Sequence, residues 1–372
     1  MNENRAVFSI SSIFALRMLA IFMFLPVFTL YASSLQGANP FLIGIAIGIY
    51  GLAQAICQLS FGSWSDQHGR KPMIVIGLCF FIIGSLLGAV THSIYLMIIA
   101  RTLQGMGAVG STLMALLADL TSEKNRTKNM AILGVGMGVS STLAMIAGPA
   151  IAAHYHLSGL FLVGAMLTTF CLIILWRIVP QPSKINFTQT SLWSSYHLVL
   201  KDALLRRWSL GIFLLHAIFT ALFYACPLLL KPLLHDSAYF YLSILGISFV
   251  LLFPSIFLVE KKKKMPQAYR ASIFLLLMAQ IILYFFHQTL IDIGIALVLF
   301  FLGFNFLEAA LPSMMSKQAS ASLRGTTMSL YSCAQFLGIF VGGILAGTLY
   351  SLWNIEGIFG FTTILAAIWL IV

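Results

Sequence analysis

The sequence predicts an all-α membrane protein of twelve transmembrane helices arranged as two six-helix halves. Three observations predict it. Of the 372 residues, 60% are hydrophobic and 8% are charged, with a mean hydropathy of +0.98, a balance that no soluble domain can carry on its surface. Apolar stretches of about 20 residues, enough to cross a hydrocarbon core of roughly 30 Å as a helix, recur along the whole chain. The one long polar stretch, Pro180 to Arg206, falls between the sixth and seventh of them.

Spans 1 to 6 are expected at 10–34, 41–63, 73–91, 94–118, 129–153 and 157–179, making a first half of 1–179. Span 1 is too long, and too closely followed by span 2, to be a cleaved signal peptide. The linker, 180–206, contains a half-apolar piece, Leu192 to Leu200, expected to lie along the inner membrane surface. Spans 7 to 12, at 207–231, 237–259, 269–288, 291–316, 325–349 and 356–372, make the second half, 207–372. Outer loops are short, as at Ser34 to Asn39 and Thr91 to Ser93, which leaves no room for an extracellular domain. The sequence stops at Val372, inside or barely beyond span 12, so a soluble C-terminal domain is not expected.

The net charge of +11 invites a nucleic-acid reading, but its distribution argues against one. With the N-terminus inside, all 21 Lys and Arg residues except Arg17, Arg101 and Lys231 fall at the cytoplasmic face. The charge therefore encodes topology, with both termini cytoplasmic, and no nucleic-acid partner is expected. The run Lys261 to Lys264 reads as an orientation anchor or as a contact with anionic lipid, each cation contributing about 1 kcal/mol near such a surface. The 5 cysteines lie inside predicted spans without metal-ligand spacing, so neither a disulfide frame nor a metal site is expected. No phosphate-binding loop or metal-binding helix motif is present, so no cofactor and no enzyme activity are expected.

The most informative stretch lies between spans 2 and 3, where Gly62, Asp66, Gly69, Arg70 and Lys71 punctuate a charged turn. It resembles the loop signature of major facilitator transporters, G-x-x-x-D-x-x-G-R-[KR]. Arg101-Thr102-Leu103-Gln104-Gly105-Met106-Gly107 in span 4 resembles the second signature of that family, and span 5, with Gly134, Gly136, Gly138 and Gly148-Pro149, resembles the antiporter-type helix, departing from it at Ala152-Ala153. The stretches Phe14 to Leu19, Leu42 to Leu52, Asp119 to Thr121, Asn125 to Lys128 and Leu307 to Pro312 are similar to the YajR-like branch of bacterial inner-membrane major facilitators.

That resemblance implies the major facilitator fold, two halves related as repeats about an axis along the membrane normal. It implies a latch in which Asp66, Arg70 and Asp119 hold the halves together, with Asp66 meeting the N-terminus of span 11 near Arg324-Gly325. It also implies proton-driven efflux from a monomer in the bacterial inner membrane. For Arg101 two roles stay open: tuning the protonation of a nearby acid, or a structural bond to backbone carbonyls.

Glu308 in span 10 is the only acid placed well inside a span, and Arg17 in span 1 is its expected partner. Each lies about eight residues, or ~12 Å, from the inner end of its helix. A mobile Arg17–Glu308 pair would load and unload a proton; a fixed one would be a structural salt bridge. His216 and Tyr224 in span 7, Asn305 in span 10 and Gln335 in span 11 are candidates to line a cavity, as against serving as interhelical contacts. The expected function is proton-coupled antiport of a small amphipathic molecule, with protons and membrane lipids as the other partners. The alternatives are a metabolite or sugar symporter or facilitator of the same fold, and a non-transporting membrane sensor.

Overall fold

The computed structural model describes residues 3–122, 125–180, 192–234, 237–262, 264–320 and 323–371. Every regular element in them is an α-helix, and the sole pairing of extended backbone is an isolated bridge between Gln36 and Ser93. The chain divides into two compact units, Met1–Leu42 with Ile49–Gln189 and Ile43–Gly48 with Thr190–Val372.

The first unit holds α1 (Glu3–Phe22), α2 (Phe28–Ala32), most of α3 (Pro40–His68), α4 (Arg70–Val90), α5 (Ile94–Met106), α6 (Gly110–Asp119) and α7 (Arg126–Arg177). The predicted span 1 is not one rod. It begins earlier, at Glu3, and breaks over residues 23–27, where Pro26 has no amide hydrogen to continue the ladder. α3 starts sharply: Asn39 Oδ1 accepts from the amide of Leu42 at 2.9 Å, and Pro40 occupies the first turn, where a missing N–H costs nothing. It ends at Gly69, whose φ of +96° a side chain would resist, so α4 can start one residue later.

The predicted span 4 is also interrupted, at residues 107–109, between α5 and α6. α7 runs for 52 residues and bends at His156, whose φ of 54° is non-helical. The core of the unit packs Ile10, Phe14, Phe61, Leu78, Leu113, Leu117 and Leu175 from α1, α3, α4, α6 and α7.

The second unit holds α8 (Leu192–Lys201), α9 (Ala203–Leu230), α10 (Ala238–Lys262), α11 (Met265–Phe285), α12 (Leu290–Gln318) and α13 (Arg324–Ile371). α9 is its central rod, buried over nearly its whole length and packed against α13. It is capped by Asp202, whose Oδ1 accepts from the amides of Leu204 at 2.8 Å and Leu205 at 3.1 Å. α13 runs for 48 residues and bends at Trp353 and Asn354.

Nine helices among the described residues are long and apolar enough to cross a membrane. α7 and α13 each supply two rods, and α5 and α6 lie in sequence as one interrupted rod, an arrangement consistent with twelve crossings.

Candidate functional site

Three helices of the second unit bring three polar side chains together. Gly338 and Gly342 let α13 lie backbone to backbone on α9: an added Cβ would fall 2.3 Å from Phe213 O and 2.4 Å from Ala217 O. That approach carries Gln335, about one turn earlier on α13, to His216 on α9. Gln335 Nε2 lies 2.9 Å from His216 Nε2 and donates to Glu308 Oε1 on α12 at 3.1 Å. An amide nitrogen only donates, so His216 Nε2 accepts and its hydrogen sits on Nδ1, which faces Ile212 O at 3.2 Å.

The second carboxylate oxygen, Glu308 Oε2, is 3.7 Å from His216 Nε2 and has no hydrogen-bond partner. The Glu308 side chain keeps 35% of its surface accessible, against 4% for His216, but its unpartnered Oε2 is itself buried. Phe219 and Phe304 stack at 4.5 Å beside His216, making one wall apolar. Asn305, three residues before Glu308, has a buried Nδ2 without a hydrogen-bond partner. Tyr224 lies two turns along α9 from His216, its ring 5.8 Å from Tyr350, outside this cluster.

In the first unit Arg17 is 1% exposed. At the interruption between α5 and α6 the carbonyl of Gly107 accepts from the amide of Val109 at 2.8 Å and from Arg17 Nη2 at 2.6 Å. Arg101, 4% exposed, donates from Nη1 to Gln104 Oε1 at 2.8 Å, and Gln104 Nε2 donates onward to Ser85 Oγ at 2.8 Å. Its guanidinium lies 4.9 Å from the ring of Tyr50, 5.3 Å from Phe24 and 5.8 Å from Phe28, within cation–π range of all three. Arg17 and Glu308, the pair expected from depth alone, thus each find hydrogen bonds inside their own unit.

The turn between α3 and α4 is partly described. The side chain of Asp66 and the surroundings of Gly62 lie outside the described residues. Arg70 Nε donates to Asp119 Oδ2 at 3.0 Å, and its Nη1 donates to Ser65 Oγ at 2.7 Å. Lys71 Nζ donates to the carbonyl of Val179 at 2.7 Å, at the end of α7. On α7, Gly148 abuts the break after α1, whereas Gly138 has open space around it. Sequence reasoning overlooked Ser65, Tyr50 and the Gly107 carbonyl. Tyr50, Gln54 and Gln58 are four apart on α3, a polar stripe that helical spacing alone would have revealed.

A helical protein with this many membrane-length rods, two units and buried ionisable side chains within the rods is of the membrane-carrier class. The profile of the Major Facilitator Superfamily matches residues 10–343, and the chain belongs to that family. It is 40% identical over 375 residues, covering 100% of this chain and 83% of the relative, to the inner membrane transport protein YajR of Escherichia coli. It is 28% identical over 152 residues, 40% of this chain and 39% of the relative, to multidrug resistance protein D of Escherichia coli. Among solved structures, the nucleoside transporter NupG superposes with a TM-score of 0.75 at 15% identity, over 99% of this chain and 98% of that one, a likeness of fold. The protein is therefore a multi-pass membrane transporter of the major facilitator fold, with efflux-type relatives, and not an enzyme.

Proposed function

We propose that the protein is a proton-coupled antiporter that exports a small amphipathic molecule by alternating access, as a monomer in the bacterial inner membrane with both termini cytoplasmic. The observation that carries this reading is the Glu308 carboxylate, held at Oε1 by Gln335 and buried without a hydrogen-bond partner at Oε2 beside His216. A carboxylate inside a spanning helix is costly unless it is functional, paired or neutralised. With Oε1 fixed, Oε2 is the atom that takes and releases the proton. His216 presents only a ring nitrogen already accepting from Gln335, so it offers no fixed cation to hold Glu308 ionised.

In this reading 1–179 and 207–372 are the two moving halves and 180–206 joins them. The turn residues Gly62, Asp66, Gly69, Arg70 and Lys71, with Asp119, act as the latch of one state, and the Arg70–Asp119 bond, inside the first unit, fixes two of these side chains for it. Arg101, caged by aromatic rings and bonded to Gln104, contributes a fixed positive potential that favours deprotonation when an acid approaches it. Gly138, Gly148 and Pro149 shape α7 for close packing, and the partial match to multidrug resistance protein D supports the outward direction.

The test is proton release from acid-loaded everted vesicles on adding a broad compound panel, comparing wild type with Glu308→Gln. A compound that dissipates the gradient in wild type and not in Glu308→Gln is expected. Undiminished proton-driven flux in the variant would remove Glu308 from the mechanism.

A further inference from the structure

The first unit holds more buried hydrogen-bond donors around Arg17 than it spends. Arg17 uses one guanidinium nitrogen on the carbonyl of Gly107, while its Nε and Nη1 are buried without an acceptor. The hydroxyl of Tyr50, a residue 3% exposed, is likewise buried without a partner. Tyr50 lies within electrostatic range of both Arg17 and Arg101. Of the described acids of this unit, Glu3 is occupied by Ser122, Asn125 and Asn129, and Asp119 takes Arg70, so neither serves Arg17.

The amide oxygen of Gln54, one turn along α3 from Tyr50, is also without a partner. It can take one hydrogen, but it carries no charge to offset a guanidinium. A methyl placed on Gly110 would sit in ordinary contact, 3.7 Å from Arg17 Nη1 and 3.8 Å from Phe14 Cζ, so a single added atom is accommodated beside that nitrogen. A buried guanidinium with two unspent nitrogens, a free phenol hydroxyl and the Phe14 ring beside the same nitrogen match an anionic head carried on an apolar body.

We propose that Arg17, with Tyr50 beside it, is a substrate site for the carboxylate or sulfonate head of an amphipathic organic anion. This rests on the transporter reading above and gives it a substrate class. The unspent Arg17 Nη1, the nitrogen nearest Gly110, donates a charge-assisted hydrogen bond to one oxygen of the head. Tyr50 donates to it from the side, and the Arg101 guanidinium adds positive potential behind the Tyr50 ring.

The test is equilibrium binding to the purified full chain in phosphatidylcholine nanodiscs at one pH, with no proton gradient. The probes are 4-phenylbutanoate and naphthalene-2-sulfonate, each against an uncharged partner, 4-phenylbutanol and naphthalene-2-methanol. At least one anion is expected to bind wild type tenfold or more tightly than its partner. Arg17→Gln abolishes that preference, Arg17→Lys keeps part of it, and Tyr50→Phe weakens it several-fold.

Equal binding of each anion and its uncharged partner overturns the proposal, as does a preference that survives Arg17→Gln. A stabilisation dependent on Arg17 that is seen only with phosphatidylglycerol in the nanodisc assigns the site to a lipid headgroup and also overturns it. Where Arg17→Gln does not fold, Tyr50→Phe decides, and an unchanged preference there refutes the site. Because no gradient is present, this result is independent of whether Glu308 carries the proton, which the vesicle experiment reads separately.

Discussion

Two glycines of α7 that look equivalent in sequence should respond oppositely to a single methyl group. At Gly148 an added Cβ would fall 2.2 Å from Met23 O, 3.1 Å from the Met23 carbonyl carbon and 3.2 Å from Pro26 Cγ. The obstacle is backbone, so one chain must move against the other by roughly 1 Å in a close-packed region. Overpacking of that kind costs about 2–3 kcal/mol, while replacing glycine by alanine in a helix returns about 1 kcal/mol. Gly148→Ala should therefore destabilise by about 1–2 kcal/mol.

At Gly138 an added Cβ meets nothing within 4 Å, so Gly138→Ala keeps only the helical gain of up to about 1 kcal/mol. Denaturant titration of the purified variants in the same mixed micelles, with wild type alongside, gives both values. Gly148→Ala at or above wild-type stability would refute the packing argument. So would Gly138→Ala falling as far as Gly148→Ala. If Gly138→Ala is stable yet slow in transport, the glycine serves a close approach made during the cycle.

The Asp202 carboxylate, at the start of α9, accepts from Gln318 Nε2 at 3.0 Å and from two backbone amides, which hold its pKa below the ordinary 3.8. A depressed carboxylate contributes stability above its unfolded pKa and loses it as pH falls through the folded one. Asp202→Ala should thus cost about 1 kcal/mol near neutrality, a deficit that shrinks below pH 3.8 in a thermal-midpoint series; a constant deficit would refute the ionic part. Asp119→Ala removes the carboxylate from a mostly buried Arg70 guanidinium and should cost about 3 kcal/mol, read by denaturant titration, whereas a neutral effect would mean the pair is fully solvated. Gln335→Met keeps the volume but leaves Glu308 Oε1 and His216 Nε2 without their donor; proton-coupled flux should fall at a stability cost of about 1–3 kcal/mol, and unchanged flux would show that Gln335 does not position Glu308 for its proton.

The class of this protein is written in its composition and in the length of its apolar runs, because a chain 60% hydrophobic and 8% charged belongs in a lipid phase, and unbroken apolar stretches of about 20 residues close their backbone hydrogen bonds within helices. That Arg17, Arg101 and Glu308 lie inside long helices follows from sequence for the same reason: charge is so costly in lipid that each occurrence is conspicuous. Sequence did not determine which way each rod faces. A helix apolar on all sides carries little periodic signal, so nothing local states that His216, Glu308 and Gln335 share a point, with His216 and Gln335 119 residues apart.

Arg17 illustrates the limit. Its place inside a long apolar helix was legible, but its acceptor is a backbone carbonyl presented where α5 stops at Met106. That break exchanges a helical hydrogen bond for a tertiary one, whereas the one at Pro26 in the predicted span 1 is closed by local turn bonds such as Val27 N to Phe24 O. Only the packed structure decides where such an exchange is favourable, because the compensating donor lies on another helix.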